Sequence, residues 1–198
     1  MTGGQRFARF VTDVTVRAPF LWRLFRGRVV RNFDKLAPEW DATRVRRERL
    51  APMIAALDAV GAPRRALDVG TGTGAIARLV SERWPDADVT GVDVSPGMIA
   101  EARRLGGERY DIGDSSALPY EDGSFDLVTL NNMIPFFDEI ARVTAPGGHV
   151  AVAFSMGPQT PIWVPLDRVR AELERRGLQH RGDFQIDTGL ALLAQRPV

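Results

Sequence analysis

The sequence contains no cysteine, which removes disulfides, thiolate nucleophiles and zinc–thiolate sites and leaves the redox compartment open. Lysine is nearly absent: Lys35 stands alone beside 25 arginines, a ratio read as coding bias. Histidine occurs only as His149 and His180. The first directly follows a glycine pair and reads as structural, so a histidine base is not expected. No stretch of 18 apolar residues occurs and no secretory pattern opens the chain. Neither a membrane span nor an export signal is expected, and the default location is the cytoplasm. The net charge of +1 argues against a general polyanion binder. Repeats, low-complexity tracts and metal-ligand clusters are also lacking, and 198 residues suit one sizeable core with a modest extension.

What stands out is Ala66-Leu67-Asp68-Val69-Gly70-Thr71-Gly72-Thr73-Gly74. A short apolar run ending in an acid reads as a buried parallel strand. Three alternate glycines then read as a tight strand-to-helix turn at which a ligand meets bare backbone. The helix after it, near 75–84, offers free N–H groups to an anionic or polar ligand. Gly70, Gly72 and Ala75 also satisfy the loose dinucleotide pattern G-x-G-x-x-G/A, so the turn alone does not choose the cofactor. A second strand over 88–93 ends in Asp93, which lies 19 residues past Gly74, close to the spacing at which a carboxylate accepts from a ribose diol.

Further strands are expected near 108–112, 125–131, 148–155 and 189–196, with a weak one near 179–186. Helices are expected near 96–105, 135–144 and 162–176. Alternation of this kind implies right-handed crossovers and a mostly parallel sheet covered on both faces. Before the core, a helical pattern runs from Thr43 to Val60 with an interruption at Pro52, and Gly61-Ala-Pro63 ends it. This divides the chain into a helical extension, 1–60, and an α/β core, 61–198.

The extension is basic and aromatic. Residues 1–33 hold seven arginines and one acid, Asp13. Pro19, followed by Phe-Leu-Trp-Arg-Leu-Phe-Arg, suggests a helix start. The segment reads as a cap or substrate lid packed on the core, as a dimer contact, or, through residues 17–31, as a peripheral membrane contact.

The glycine turn, Val92-Asp93-Val94-Ser95, Tyr110-Asp-Ile-Gly-Asp114-Ser115 and Arg142-Val-Thr-Ala-Pro-Gly-Gly148 follow one another at compatible spacings. Together they resemble the class I S-adenosylmethionine-dependent methyltransferases, in the broad small-molecule, type 11-like group, over roughly residues 64–155. The resemblance implies a Rossmann-like seven-stranded sheet with helices on both faces and the last strand antiparallel, inserted between the fifth and sixth. It implies S-adenosyl-L-methionine as cofactor, with S-adenosyl-L-homocysteine as product.

The resemblance also assigns residues. Asp68 orients the glycine turn and the amino-acid moiety of the cofactor. Gly70, Thr71, Gly72 and Gly74 let the backbone approach its tail and ribose. Asp93 accepts from both ribose hydroxyls, and Val94 and Met98 flank the adenine. Asp114 accepts from the adenine amino group beside the Ser115 N–H, with Asp111 as a competitor. Asn131 ends the fourth strand, where the transferring methyl points. Phe33, Trp40 and Asp41, in a stretch similar to F-D-x-x-A-x-x-Y-D, close the site from above or anchor the extension.

The sequence departs from that family in two places. The amino-methyltransferase tetrad N-P-P-[YFW] reads Asn131-Asn132-Met133-Ile134 here, which argues against methylation of exocyclic base amines. The link from the fourth strand to Pro146-Gly147-Gly148 is also short, so a piece of the usual pocket wall is missing. Either the pocket is wide or the extension fills the gap. Asn131 and Asp41 are the catalytic candidates, and Glu121 and Asp122 are further acids that could serve as a base.

Methyl transfer to a small-molecule acceptor through an O, N or C nucleophile is therefore expected, carried mainly by positioning. A nonenzymatic cofactor-binding regulatory or assembly protein, or a lipid or quinone methyltransferase at a membrane surface, are the alternatives. Nucleic acid is not the expected partner. A short-chain nicotinamide oxidoreductase would need Tyr-x-x-x-Lys after the fourth strand, and the sole lysine precedes the glycine turn.

Overall fold

The computed structural model describes residues 2–198. Four helices come first: α1 (Gly3–Arg17), α2 (Trp22–Leu36), α3 (Trp40–Arg44) and α4 (Arg47–Leu57). The alternating part follows as β1 (Arg65–Val69), α5 (Ala75–Arg83), β2 (Asp88–Asp93), α6 (Pro96–Leu105), β3 (Arg109–Ile112), β4 (Phe125–Asn131), α7 (Phe137–Val143), β5 (Thr144–Phe154), α8 (Leu166–Glu174), β6 (Gln179–Ile186) and β7 (Gly189–Gln195).

The seven strands lie in the order β3-β2-β1-β4-β5-β7-β6. β1 to β5 run parallel, and β7 is antiparallel to both β5 and β6. The order reverses between β1 and β4. Ligands bind at the carboxyl ends of strands beside such a reversal, because the crossovers there leave in opposite directions and open a crevice.

Successive strand residues point to opposite faces, so the sheet feeds two cores. Leu67, Val69, Val128, Leu130, Val150 and Val152 face one side, against Val11 of α1, Trp22 of α2, Ile140 of α7 and Leu173 of α8. Ala66, Leu127, Ala151, Ala153 and Ala191 face the other, against Met53 and Leu57 of α4, Val80 of α5 and Ile99 of α6. Burying one such leucine or isoleucine contributes about 1.5–3 kcal/mol, so packing on these two faces holds the extension helices as well as the core ones.

Two elements differ from the sequence reading. α4 is not interrupted at Pro52 but runs through it. Proline forfeits one backbone hydrogen bond inside a helix. Here its ring is buried and seated against Gly189, where no side chain stands in the way. β5 begins at Thr144, before the Pro-Gly-Gly turn, and its pairing with β4 shifts register between Phe125 and Leu127. The turn is absorbed as a bulge, and a Cβ at Gly148 would press on the carbonyl oxygen of Ala145 at 2.8 Å.

Hydrogen-bonded anchors tie the extension across the carboxyl end of the sheet. Arg9 of α1 donates through Nη2 to the carbonyls of Pro158 at 2.7 Å and Thr160 at 2.6 Å. Asp34 of α2 accepts at Oδ1 from Ser95 Oγ at 2.6 Å and from the Gly97 N–H at 3.0 Å, capping the start of α6. Asp41 of α3 takes Thr73 Oγ1 on one oxygen and Arg78 Nη2, at 3.2 Å, on the other.

Candidate functional site

A cavity of about 530 Å3 opens over the carboxyl ends of β1, β2, β4 and β5, within the ordinary range for small-molecule and cofactor sites. Its floor is the turn after β1. The N–H groups of Gly70 and Thr71 both donate to the Val92 carbonyl, at 2.8 and 3.0 Å, which folds the turn over the end of β2. Gly72 has φ of +54° and open space where a Cβ would stand. By contrast, Gly74 lies against the Tyr110 ring and Gly70 against Met133. The three glycines thus divide their work: Gly72 opens onto the cavity, Gly70 lines it while making room for Met133, and Gly74 makes room for Tyr110.

Two acids border the turn. Asp68 is 3 % exposed, accepting from Thr71 Oγ1 at 2.6 Å and from Thr129 Oγ1 at 2.8 Å. Burial lifts its pKa to about 6 against those two donors, with the Asp93 charge adding to the rise. Asp93 accepts from the Gly72 N–H and the Ser95 N–H, each at 2.9 Å. Burial raises its pKa as well, opposed by its backbone donors. Each Asp93 oxygen accepts one of these bonds, and the residue lines the cavity.

The remaining sequence-derived candidates fall into two groups. Val94, Met98, Ser115, Asn131, Phe33 and Trp40 line the same cavity as Asp68, Gly70, Thr71, Gly72 and Asp93. Asn131 Oδ1 is buried there without a hydrogen-bond partner. Phe33 and Trp40 pack with ring centroids 5.5 Å apart, and the Arg44 guanidinium lies 4.9 Å over the Trp40 ring. Gly74, Asp41 and Asp114 are not among the lining residues.

Asp114 is bound by other protein groups. It accepts from Trp22 Nε1 at 3.0 Å, Arg26 Nη1 at 2.9 Å, and the Ser116 N–H and Oγ at 2.9 and 2.8 Å. Burial raises its pKa, but these donors outweigh it and leave the carboxyl below the usual value. Asp111 pairs with Arg109 at 3.1 Å and accepts from Tyr120. Asp122 pairs with Arg142 at 2.9 Å, and Glu121 stands exposed. His149 borders a separate small hollow beside Gly61 and Pro63, and His180 bonds to Asp183.

The extension shares the cavity wall with Met133, Ile134 and Phe136 of the β4–α7 link. Gln5 and Ala8 of α1, Trp22 and Val29 of α2, Arg44 of α3 and Arg49 of α4 all face the cavity. Sequence reasoning missed most of these, because nothing local says which side of an amphipathic helix meets a distant sheet end. It also passed over the Asn132–Ser155 pair. Asn132, at φ +55°, donates through Nδ2 to Ser155 Oγ at 2.7 Å and accepts from the Ser155 N–H at 2.9 Å. Ser155 directly follows β5, so the rule that ligands meet strand carboxyl ends would have found it.

Residues 67–152 match the family model described as a methyltransferase domain. A demethylmenaquinone methyltransferase of Thermus thermophilus is 42 % identical over 103 residues, 46 % of this chain and 47 % of that protein. A malonyl-[acyl-carrier protein] O-methyltransferase of Halorhodospira halophila is 37 % identical over 145 residues, 67 % of this chain and 49 % of that protein. The chain spans about half the length of these curated relatives. A SAM-dependent methyltransferase of Aquifex aeolicus superposes with a TM-score of 0.64 at 20 % identity, over 83 % of this chain and 96 % of that one, which speaks for the fold. Sheet order, glycine turn and family match agree: residues 67–152 carry a methyltransferase domain of the class I, S-adenosylmethionine-dependent type.

Proposed function

We propose that this chain catalyses methyl transfer from S-adenosylmethionine to a small-molecule acceptor through an O, N or C nucleophile, with residues 61–198 as the cofactor-binding core and 1–60 as its cap. The observation that carries the reading is the open glycine turn bordered by Asp68 and Asp93 in one cavity, with the Gly72 N–H donating to Asp93. The residues fit the cofactor. Two carboxylates that burial makes costly to ionise are relieved by a cationic ligand, and Asn131 lines the same space.

When bound, the cofactor supplies a sulfonium whose methyl is already activated. The Asp93 carboxylate suits the two ribose hydroxyls. Asp68 braces the turn through Thr71 and sets negative charge beside it. Gly70, Thr71 and Gly72 offer close backbone, while Val94, Met98 and Ser115 line the part suited to adenine. Arg44 and Arg49 add positive charge to the wall, suited to a carboxylate. Gly74 acts by letting Tyr110 pack, and Asp114 by holding α2 in place through Trp22 and Arg26.

Phe33 and Trp40 cover the cavity and exclude water, and Asn131 orients the reacting end. Both acids that line the cavity are already engaged as acceptors, so orientation rather than a dedicated base carries the reaction. Asp41 supports this indirectly by fastening α3 to Thr73 and Arg78.

The same shortage of a free base favours a second reading, in which the chain binds the cofactor and serves a regulatory or assembly role. Transfer of labelled methyl from S-adenosylmethionine, measured across a panel of metabolites, tests the first reading. Product from any panel member supports it. Cofactor binding without product across the panel favours the second.

A further inference from the structure

The outer faces of α1 and α2 carry large apolar side chains with nothing packed over them. Phe10 is 54 % exposed, Phe20 67 % and Leu24 74 %. Phe20 lies in the 3-10 turn Pro19–Leu21 that leads into α2, four residues before Leu24 in the first turn of that helix. Phe10 meets Phe25 edge-to-face at 5.8 Å, which joins the α1 ring to α2. Arg6, Arg17, Arg23, Arg28 and Arg31 are exposed on the same two helices. Of the seven arginines in residues 1–33, Arg26 is the one in an ion pair among the described residues, with Asp114 at 2.9 Å. Asp13 is the only acid in that stretch.

Single exposed apolar residues are ordinary. Three on one helical hairpin, together with exposed arginines that form no ion pair among the described residues, match the make-up of an interfacial element, in which apolar side chains enter the acyl boundary and guanidinium groups meet anionic headgroups. The inner faces of the same helices line the cavity through Ala8, Trp22 and Val29. We propose that the α1–α2 hairpin docks the protein on an anionic lipid surface, setting the cavity beside the membrane so that the acceptor is drawn from it.

The docking rests on the surface alone, whereas delivery of an acceptor rests on the methyl-transfer reading. Charge complementarity selects the lipid over other occupants. A second copy would bring one cationic patch against another. Single-stranded nucleic acid would reward stacked rings, yet the most exposed of these side chains is the aliphatic Leu24. Among the described residues no helix is long and apolar enough to cross a membrane, so contact would be at the surface.

Co-sedimentation of the full chain with phosphatidylglycerol–phosphatidylcholine vesicles, against phosphatidylcholine alone, tests the docking. The protein should sediment with the anionic vesicles only, and added salt should release it. Arg23→Glu/Arg31→Glu and Phe20→Ser/Leu24→Ser should each weaken partitioning by about tenfold or more. Both variants should melt near the native temperature and bind S-adenosylhomocysteine normally by calorimetry. Equal sedimentation with both vesicle types, native partitioning by either variant, a dimer lost in Phe20→Ser/Leu24→Ser without vesicle binding, or retention of single-stranded RNA instead would each overturn the proposal. Vesicle binding that persists while no acceptor is methylated would sink the methyl-transfer reading and leave the docking standing.

Discussion

The Gly72 N–H donates to the Asp93 carboxylate across 2.9 Å, so the open turn after β1 and the acid at the tip of β2 form one unit. Asp93→Ala leaves the Gly72 and Ser95 N–H groups unpaired and removes a carboxylate that lines the cavity. S-adenosylmethionine binding, followed by calorimetry, should weaken at least about tenfold, as expected when hydrogen bonds to a charged group are lost. Equal affinity in the variant would defeat the ribose assignment.

The pH profile of cofactor binding should be set in large part by Asp68. Burial lifts its carboxyl from 3.8 to about 6. Between those values the folded chain keeps a proton that the unfolded chain releases, so Asp68 makes stability fall as pH rises through that window. A cationic ligand favours the ionised form, and its affinity should therefore rise by about tenfold from pH 5 to pH 7. Asp68→Asn should reduce that slope. A native profile flat across this range would rule out the electrostatic role.

The glycines of the turn should separate on substitution. Gly74→Ala drives a methyl into the Tyr110 ring and should lower the melting temperature sharply. Gly72→Ala meets open space and carries only the strain of a positive φ, about 1–2 kcal/mol. It should melt closer to the native protein yet bind cofactor less well, since its methyl points where the ligand would lie. Equal melting and equal binding in the two variants would contradict this division.

Trp22 tests the anchoring of the cap. Its indole N–H reaches Asp114 while its ring packs edge-on to Phe136 at 5.7 Å. Trp22→Phe retains much of the packing and removes the donor. The expected loss is about 1 kcal/mol, a fall of roughly 2–4 °C in melting temperature for a chain of this size. No change in a thermal scan would mean that the hydrogen bond holds nothing.

Much of the core was legible in order. Largely apolar runs reaching Asp68, Asp93 and Asn131 mark strands, because a strand buried on both faces is mostly apolar, and ligands sit at the carboxyl ends of such strands. Pro52 was misleading, since a local rule against proline in helices takes no account of Gly189, more than a hundred residues away, leaving space for its ring. The Pro-Gly-Gly turn was likewise absorbed into β5, because pairing with β4 outweighed local turn preference.

The amino-acid order by itself determined the cofactor family, the glycine turn and its two acids, since these depend on residues a few positions apart along consecutive strands. Only the tertiary structure decided which groups share the cavity. It gave Gly74 to Tyr110, Asp114 to Trp22 and Arg26, and Asp41 to Thr73 and Arg78, and it brought Gln5, Ala8 and Trp22 to the cavity wall. The physical reason is distance along the chain. How an amphipathic helix is rotated and where it docks are fixed by packing against surfaces that exist only once the sheet has formed.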